Sequence, residues 1–521
     1  MTHDAPALDQ PLDHKSTTSP SHYNLVVIGS GQGGGPLAGA FARAGHRVAL
    51  VERQHVGGTC INEGCSPTKT IVASARVAHL VRRSRDYGVH GSTARDPERD
   101  GMRVDLARVR ERKQQIVDSF RNGSERSLAA AGVELIRGQA RFVGQRRIEI
   151  SPMPSTDAGD ADRTASRSVA RASHTLTADL VVVNTGLRPA LPALPGLEDA
   201  PYLTSTSILE LTETPDHLIV LGGGYVGLEF AQAYRRFGSR VTIVQRDVQL
   251  LSREDQDVAD SVAAILREDG LGVELSAEAV RVEASGGRIR LIWRARALDG
   301  AATTSDSERV IDGTHLLVAT GRTPNTEDLG LDAGGIATDE RGYVRVNARL
   351  ETTAAGVYAI GDVKNGPAFT HISYDDFRIL RANLLEGGSR TSESRLVPYT
   401  VFIDPQLGGI GMTEREARAS GRRIRVAKLP MKNVARALET DETRGFMKAV
   451  VDADTNEVLG ATVLGIEGGE IATVFQVAMM GKLPYTVLRD AVFSHPTLAE
   501  SINNLFMAMD RDASSATASA K

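Results

Sequence analysis

Two stretches of this chain share one local design. Tyr23 to Arg53 runs as an apolar strand NLVVIG, a glycine-rich turn GSGQGGGP, a helical LAGAFARAG and a second strand HRVALVER; His217 to Arg246 runs as HLIVLGGG, YVGLEFAQAYRRFG and SRVTIVQR. Short apolar runs broken by glycine and followed by a helical-period segment read as β-α-β units. The two lie about 190 residues apart, a spacing of duplicated domains rather than of a solenoid repeat. Both modules close alike, on ADLVVVNTG (Ala178 to Gly186) and THLLVATG (Thr314 to Gly321). A chain of 521 residues exceeds what one core can hold. The fold class is therefore α/β, with two dinucleotide-type domains and, from Val397 onward, a further α/β segment.

The first turn, Gly29-Ser-Gly31-Gln-Gly-Gly34, has the spacing GxGxxG between strand and helix, and Glu52 ends the next strand. Backbone N–H groups at such a helix start hold a pyrophosphate, and the terminal acid binds a ribose hydroxyl. The second turn, Gly222-Gly-Gly224-Tyr225-Val-Gly227, keeps the frame but ends in Gln245-Arg246. With no carboxylate to repel a 2′-phosphate, this site tilts toward NADPH; Arg246 as a solvated surface charge is the competing reading. Asp362 closes TTAAGVYAIGD at the strand end where α/β sheets take ligands, although its spacing equally suits a helix N-cap.

GGTCINEGCSPTK, Gly57 to Lys69, holds the two cysteines of the chain, Cys60 and Cys65. One helical turn brings thiols at this spacing within disulfide reach, and a helix N-terminus stabilises a thiolate. That reads as a reversible dithiol; two buried cysteines acting as small hydrophobes are the plainer alternative. In SHPTLAE, His495 and Glu500 flank a proline. A carboxylate that orients an imidazole raises its basicity, as proton shuttling to thiols requires, but a capping or core histidine would read the same way.

With 61 basic and 65 acidic residues interleaved and a formal charge of -4, the chain offers no basic stripe for nucleic acid and no polybasic membrane anchor. It lacks an apolar run of about 18 residues, so no membrane span is expected. Residues 1–22 lack the apolar core of a secretory signal, and two lone cysteines are no secreted disulfide framework. A reducing cytoplasm is the expected compartment.

Two dinucleotide units, GGTCxNxGCxPxK, a late strand ending in Gly-Asp and a terminal HPTxxE together resemble the FAD-dependent pyridine nucleotide-disulfide oxidoreductases, a family that includes glutathione reductase, dihydrolipoamide dehydrogenase and mercuric reductase. The resemblance covers Tyr23 to about Met509. It implies two Rossmann-like dinucleotide-binding domains plus a C-terminal α/β dimerisation domain. Residues 1–22 would be a disordered tail, 23–200 the first part of the FAD domain with a mobile insertion at about 151–175, and 201–325 the NAD(P) domain. Residues 326–396 would complete the FAD-binding part, 397–510 would form the dimerisation domain and 511–521 a polar tail.

The resemblance further implies FAD on Gly29, Gly31, Gly34 and Glu52, with Thr59 and Lys69 lining the flavin, Ala140 near the adenine and Asp362 on the ribityl chain. The nicotinamide nucleotide, NADPH or NADH, would take Gly222, Gly224, Gly227, Gln245, Arg246 and Gly321. Tyr225 would be a lid over the flavin, and Glu229 would pair with Lys69 near flavin N5. Hydride would pass from nicotinamide to flavin N5, with Cys65 the charge-transfer thiol and Cys60 the interchange thiol. His495 and Glu500 would reach the dithiol from the partner subunit of a homodimer.

Mercuric reductases characteristically carry a C-terminal cysteine pair, and the large thioredoxin reductases an extra redox pair; a chain whose thiols are Cys60 and Cys65 has neither. Dihydrolipoamide dehydrogenases end the second unit in an acid, where Gln245 stands here. PAFTHISYDDFRIL, Pro367 to Leu380, is similar to mercuric-reductase-like bacterial flavoproteins that include a copper-reducing enzyme. Its His371 either lines the flavin or caps a helix. The leading expectation is an FAD-dependent NAD(P)H reductase of a small-molecule disulfide. Metal-ion or quinone reduction through the same dithiol stands second, and a dihydrolipoamide dehydrogenase subunit of a multienzyme complex third.

Overall fold

The computed structural model describes residues 21–90, 103–153, 173–296 and 307–519. The first module runs β1 (Ser21–Ile28), α1 (Gly34–Arg43), β2 (Val48–Glu52), α2 (Gly58–Asn62), α3 (Cys65–Arg83), α4 (Leu106–Ala130), β3 (Glu134–Arg137), β4 (Gln139–Gly144), β5 (Arg147–Ser151) and β6 (His174–Val183). The sheet order is β3-β2-β1-β6-β5-β4, with the first four strands parallel and the last two antiparallel. VALVE of β2 is buried along its whole length because both faces of the parallel part are covered. Leu37, Phe41 and Phe377 pack one face; Tyr23, Phe142 and Ile148 pack the other. Each such side chain removed from water contributes about 1.5–3 kcal/mol.

The second module repeats the plan: β7 (Leu187–Pro189), β8 (Tyr202–Leu203), β9 (His217–Leu221), α5 (Tyr225–Phe237), β10 (Arg240–Val244), α6 (Gln256–Glu268), β11 (Gly272–Glu274), β12 (Ala277–Ser285), β13 (Arg288–Ala295), β14 (Arg309–Gly313), β15 (His315–Val318) and β16 (Arg322–Pro324). Its parallel sheet has the order β11-β10-β9-β15-β8, and β12-β13-β14 form an antiparallel meander inserted where β4 and β5 enter the first module. The chain then returns to the first sheet. β17 (Val357–Ala359) pairs with β6 in the position that β8 holds beside β15, and α7 (Thr370–Leu385) follows.

The C-terminal segment comprises β18 (Tyr399–Val401), β19 (Gln406–Gly411), α8 (Glu414–Ala419), β20 (Ile424–Pro430), α9 (Ala435–Glu439), β21 (Phe446–Asp452), β22 (Val458–Gly465), α10 (Gly468–Met480), α11 (Tyr485–Asp490) and α12 (Ser501–Ser519). Its antiparallel sheet, β18-β19-β22-β21-β20, shares one continuous core with the second module, in which Phe230 and Leu250 lie with Val401, Leu407 and Leu464.

Some boundaries differ from expectation. β1 begins at Ser21, inside the expected tail; the remainder of that tail lies outside the described residues. α4 begins at Leu106, because Asp105 caps it by accepting the N–H of Arg108 at 3.0 Å. α12 continues to Ser519 through the expected polar tail, since that stretch contains neither Gly nor Pro and its alanines favour helix. Most of the expected insertion at about 151–175 lies outside the described residues, as does 297–306 in the second module; the strands on either side, β5 with β6 and β13 with β14, are antiparallel neighbours.

The duplication extends to backbone sterics. Gly29 has φ +99° and Gly222 φ +114°, and a Cβ on either would lie 2.4 Å from a carbonyl oxygen, of Asn184 or Ala319 respectively, at the end of the adjacent strand. Both turns therefore demand glycine. Gly222→Ala is expected to cost about 1–3 kcal/mol, read as a lower thermal midpoint. Gly224→Ala, whose Cβ would enter open space, should leave that midpoint nearly unchanged.

Candidate active site

A cleft of about 1350 Å³ runs between the two glycine turns and past both thiols. Its walls include Gly29, Gly31, Glu52, Thr59, Lys69, Ala140 and Asp362 on one side, and Gly222, Gly224, Tyr225, Glu229, Gln245, Arg246 and Gly321 on the other. Gly34 and Gly227 are not on those walls. A Cβ at either would lie 2.4 Å from the carbonyl oxygen of Gly29 or Gly222, so each lets its helix close onto its own turn.

Both turns present open helix starts. Neither α1 nor α5 has a side-chain cap or an acidic residue in its first turn, which leaves backbone N–H groups for an anion. Glu52 accepts hydrogen bonds from Ser30 N at 3.0 Å and Ser30 Oγ at 2.6 Å, and so braces the first turn. Gln245 does the same in the second, where its Oε1 accepts from Gly223 N at 2.9 Å. Arg246 is 69 % exposed and only 3.7 Å from Asp247. Its guanidinium is on the cleft wall and at the surface at once.

Asp362 lies in a single turn, Gly361–Val363, and caps no helix; α7 has Phe369 at its N-cap. Burial pushes the Asp362 carboxyl up, against the pull of Arg322, whose guanidinium is 3.8 Å away. Ala140 is 4 % exposed on β4. Bare glycine backbone and an uncapped helix start suit a dinucleotide at each turn, and the first turn adds the Glu52 acid at its strand end and the buried Asp362 carboxyl.

The thiols sit on two helices, not on one turn. Cys60 is in α2 and Cys65 opens α3, because the chain reverses at Gly64, where φ is -126° and ψ is -112°. A Cβ at Gly64 would lie 2.9 Å from the carbonyl oxygen of Thr59. Both cysteines are free thiols, and their titrations are linked. The Cys60 thiol is pushed up because it donates to Cys65 and is buried. The Cys65 thiol is held below the ordinary thiol range by that bond, and Thr370 and the Lys69 ammonium add to the effect against the cost of burial. Thr370 Oγ1 is 3.3 Å from Cys65 Sγ. The two shifts run in opposite directions, which favours the thiolate at Cys65 over Cys60.

Lys69 projects one turn along α3 and pairs with Glu229 of α5 at 2.7 Å. Glu229 also accepts Phe402 N at 2.9 Å, and the Lys69 ammonium lies 4.8 Å from the Phe402 ring centroid. Tyr225, 38 % exposed at the start of α5, faces Phe369 at 6.5 Å between ring centroids. His371 stacks on Phe369 at 5.3 Å, and its Nε2 donates to Pro398 O at 2.8 Å. It therefore lines the cleft and caps no helix; burial pushes its imidazole down, toward the neutral form. Thr370, Phe369, Phe402 and Arg322 escaped sequence reasoning. Of these, Phe369 and Thr370 stood within the singled-out PAFTHISYDDFRIL, but no spacing rule links them to cysteines 305 residues away.

His495 and Glu500 are brought to each other but not to the thiols. His495 Nδ1 lies 3.0 and 2.9 Å from the two Glu500 carboxylate oxygens, the imidazole is 71 % exposed, and neither residue lines the cleft. Val492, three residues earlier, is fully exposed, as are much of Val477 and Met480 on α10. The pair lies on an exposed face.

Residues 23–376 match the model described as pyridine nucleotide-disulphide oxidoreductase, and residues 397–506 match its dimerisation domain. The chain is 37% identical over 489 residues to the probable pyridine nucleotide-disulfide oxidoreductase RclA of Escherichia coli, covering 93% of this chain and 98% of the relative. It is 34% identical to a dihydrolipoyl dehydrogenase of Thermus scotoductus, over 94% of this chain and 98% of the other. A solved Cu(II) complex of the HOCl-induced flavoprotein disulfide reductase RclA from Escherichia coli superposes with a TM-score of 0.80 at 36% identity, over 94% of this chain and 99% of that one.

The electrostatics at Cys65 are open to measurement in the reduced protein. Alkylation of Cys65 should follow a titration below the ordinary thiol value of about 8.5. Thr370→Val should move that midpoint upward by removing a donor to the thiolate. A wild-type midpoint at or above the ordinary value would contradict the assignment of the thiolate.

Proposed function

We propose, for a chain that belongs to the pyridine nucleotide-disulphide oxidoreductase family, that it is an FAD-dependent NAD(P)H reductase whose Cys60 and Cys65 pass electrons to a small disulfide. The observation that carries this reading is the thiol pair itself: two free cysteines on the cleft wall, with Thr370 Oγ1 3.3 Å from Cys65 Sγ and the Lys69–Glu229 ion pair on the same cleft. FAD would rest on Gly29, Gly31, Glu52, Thr59, Ala140 and Asp362; when bound it supplies acceptance of hydride from the nicotinamide and delivery of the electron pair to the cysteines. Gly222, Gly224, Gly321 and Arg246 would hold the nicotinamide nucleotide, with Tyr225 as the side chain that moves aside.

The thiol chemistry balances within two subunits. Cys60 gives its proton to His495 of the partner subunit, and its thiolate attacks one sulfur of the substrate, forming a mixed disulfide and expelling the first thiolate. His495 of the partner subunit returns the proton to that leaving thiolate. Cys65 thiolate then attacks Cys60 Sγ, which releases the second product thiolate, protonated from solvent, and leaves a Cys60–Cys65 disulfide two electrons more oxidised. Glu500 orients the imidazole through Nδ1, leaving Nε2 to face the sulfur. The exposed position of this pair, away from its own thiols, and the match to a dimerisation domain support a homodimer.

A second reading has one observation in its favour. The similar RclA chain has been solved as a Cu(II) complex, and a thiolate pair is a ligand set suited to copper. In that reading Cu(II) is the acceptor at the same dithiol.

Steady-state assays with NADPH and NADH against glutathione disulfide, lipoamide, other small disulfides and Cu(II) separate the two. Turnover of Cu(II) that survives Cys60→Ser, with every disulfide inert, would sink the leading reading. His495→Ala should slow disulfide turnover by about two to four orders of magnitude while sparing reduction of bound FAD by the nucleotide. Arg246→Ala should raise KM for NADPH by about tenfold and barely change that for NADH, the loss of one charge-assisted contact to the 2′-phosphate.

A further inference from the structure

Glu254 is a carboxyl group that the chemistry above does not use. It is 6 % exposed, and its Oε2 accepts the phenol O–H of Tyr399 at 2.8 Å. Its neighbours are otherwise satisfied. Asp255 accepts the N–H groups of Glu414 and Arg415 at 2.9 and 3.0 Å and the Lys448 ammonium at 3.0 Å. Lys448 is shared with Asp257 and Glu414, and Lys428 also holds Asp257. Glu416 closes a capping box with Thr413, and the Arg415 guanidinium donates to the backbone oxygens of Ser252 and Arg253. Glu416 is exposed, so Glu254 is the buried carboxyl of this group whose partner is a neutral donor rather than a cation.

Its backbone is tied to the second glycine turn. Glu254 N donates to Leu251 O at 2.8 Å, and Leu251 N donates to Gly223 O at 3.0 Å. Glu254 O accepts from Gln249 Nε2 at 3.2 Å, while Gln249 O accepts from Gln245, the residue that braces Gly223. On its other side Tyr399 opens β18, three residues before Phe402, whose N–H fixes Glu229. Glu254 thus stands between the turn that takes a dinucleotide and the strand that leads into the loop holding the Lys69–Glu229 pair.

We propose that Glu254 is a positioning residue for the nicotinamide nucleotide, and that it takes up a proton when the second glycine turn receives the anionic pyrophosphate. The proposal rests on the reading of that turn as the nicotinamide site. Burial first, then the charges of Asp255 and Glu416, push the Glu254 carboxyl up to about 7, against the Tyr399 O–H and the Arg415 charge. A further anion on the same turn favours the neutral acid, so affinity is flat below about pH 7 and falls by up to about tenfold per unit above it.

The test is calorimetric titration of the oxidised, FAD-loaded protein with NADP⁺ and with NAD⁺ from about pH 6 to 9, each in two buffers of different ionisation enthalpy. NAD⁺ removes the 2′-phosphate as a source of protons, and oxidised nucleotides avoid turnover. The wild type should take up a fraction of a proton near pH 7.5 with both ligands, and almost none near about pH 6. Glu254→Gln should bind with neither proton uptake nor the alkaline fall in affinity. Tyr399→Phe, which removes a donor to the ionised form, should move the fall to higher pH. Zero proton uptake by the wild type, or an unchanged alkaline fall in Glu254→Gln, would overturn the role of Glu254. Failure of both nucleotides to bind at every pH would instead overturn the nicotinamide site.

Discussion

The carboxylate of Glu229 is the junction on which the site depends. Its side chain is 2 % exposed, so its charge is tolerable only because Lys69 and the N–H of Phe402 both reach it. Glu229 and its two partners come from three separate parts of the chain: α5 of the second module, α3 of the first and the C-terminal segment. The ion pair therefore ties the helix that begins with Cys65 to the helix that begins with Tyr225. Removing any one partner would leave a buried charge uncompensated, which costs about 3–5 kcal/mol where it has been measured in proteins. Geometry at the thiols and geometry at the second glycine turn are consequently not independent.

The same logic holds farther from the cleft. Arg236, 5 % exposed, pairs with Asp404 at 2.5 Å and Asp269 at 3.4 Å, and Arg444 reaches Asp269 at 2.7 Å. Lys448 gathers Asp255, Asp257 and Glu414. Both groups lie where the second module meets the C-terminal sheet, and the apolar core is continuous there. Apolar contact supplies the adhesion, while ion pairs with fixed directions select one docking angle among the many that an apolar face alone would accept.

Much of this was legible in the residues. Two glycine frames, each between a short apolar strand and a helix, specify their turns because positive φ and close carbonyl oxygens admit nothing larger at Gly29 and Gly222. The dithiol was legible too, but its geometry was not. Spacing suggests one helical turn, whereas the unusual backbone at Gly64 splits Cys60 and Cys65 between two helices. Gly34 and Gly227 belong to the fingerprint and yet serve helix packing rather than the cleft wall. Tyr399, Thr370 and Phe402 stayed hidden for a different reason. They sit in a three-residue strand, at a helix start and in a loop, where no periodicity exists, and their partners lie 145 to 305 residues away.

The two braces of the glycine turns differ by one atom type. Glu52 holds Ser30 with a carboxylate oxygen, and Gln245 holds Gly223 with an amide oxygen while its amide nitrogen reaches Asp247 and Gln249 O. An amide offers both a donor and an acceptor, and a carboxylate offers acceptors alone. Anyone re-engineering coenzyme choice by installing an acid at 245 would therefore sever two contacts of the loop while changing its charge. On the proposed reading, position 246, exposed and outside that brace, is where preference would be rewritten without disturbing the scaffold.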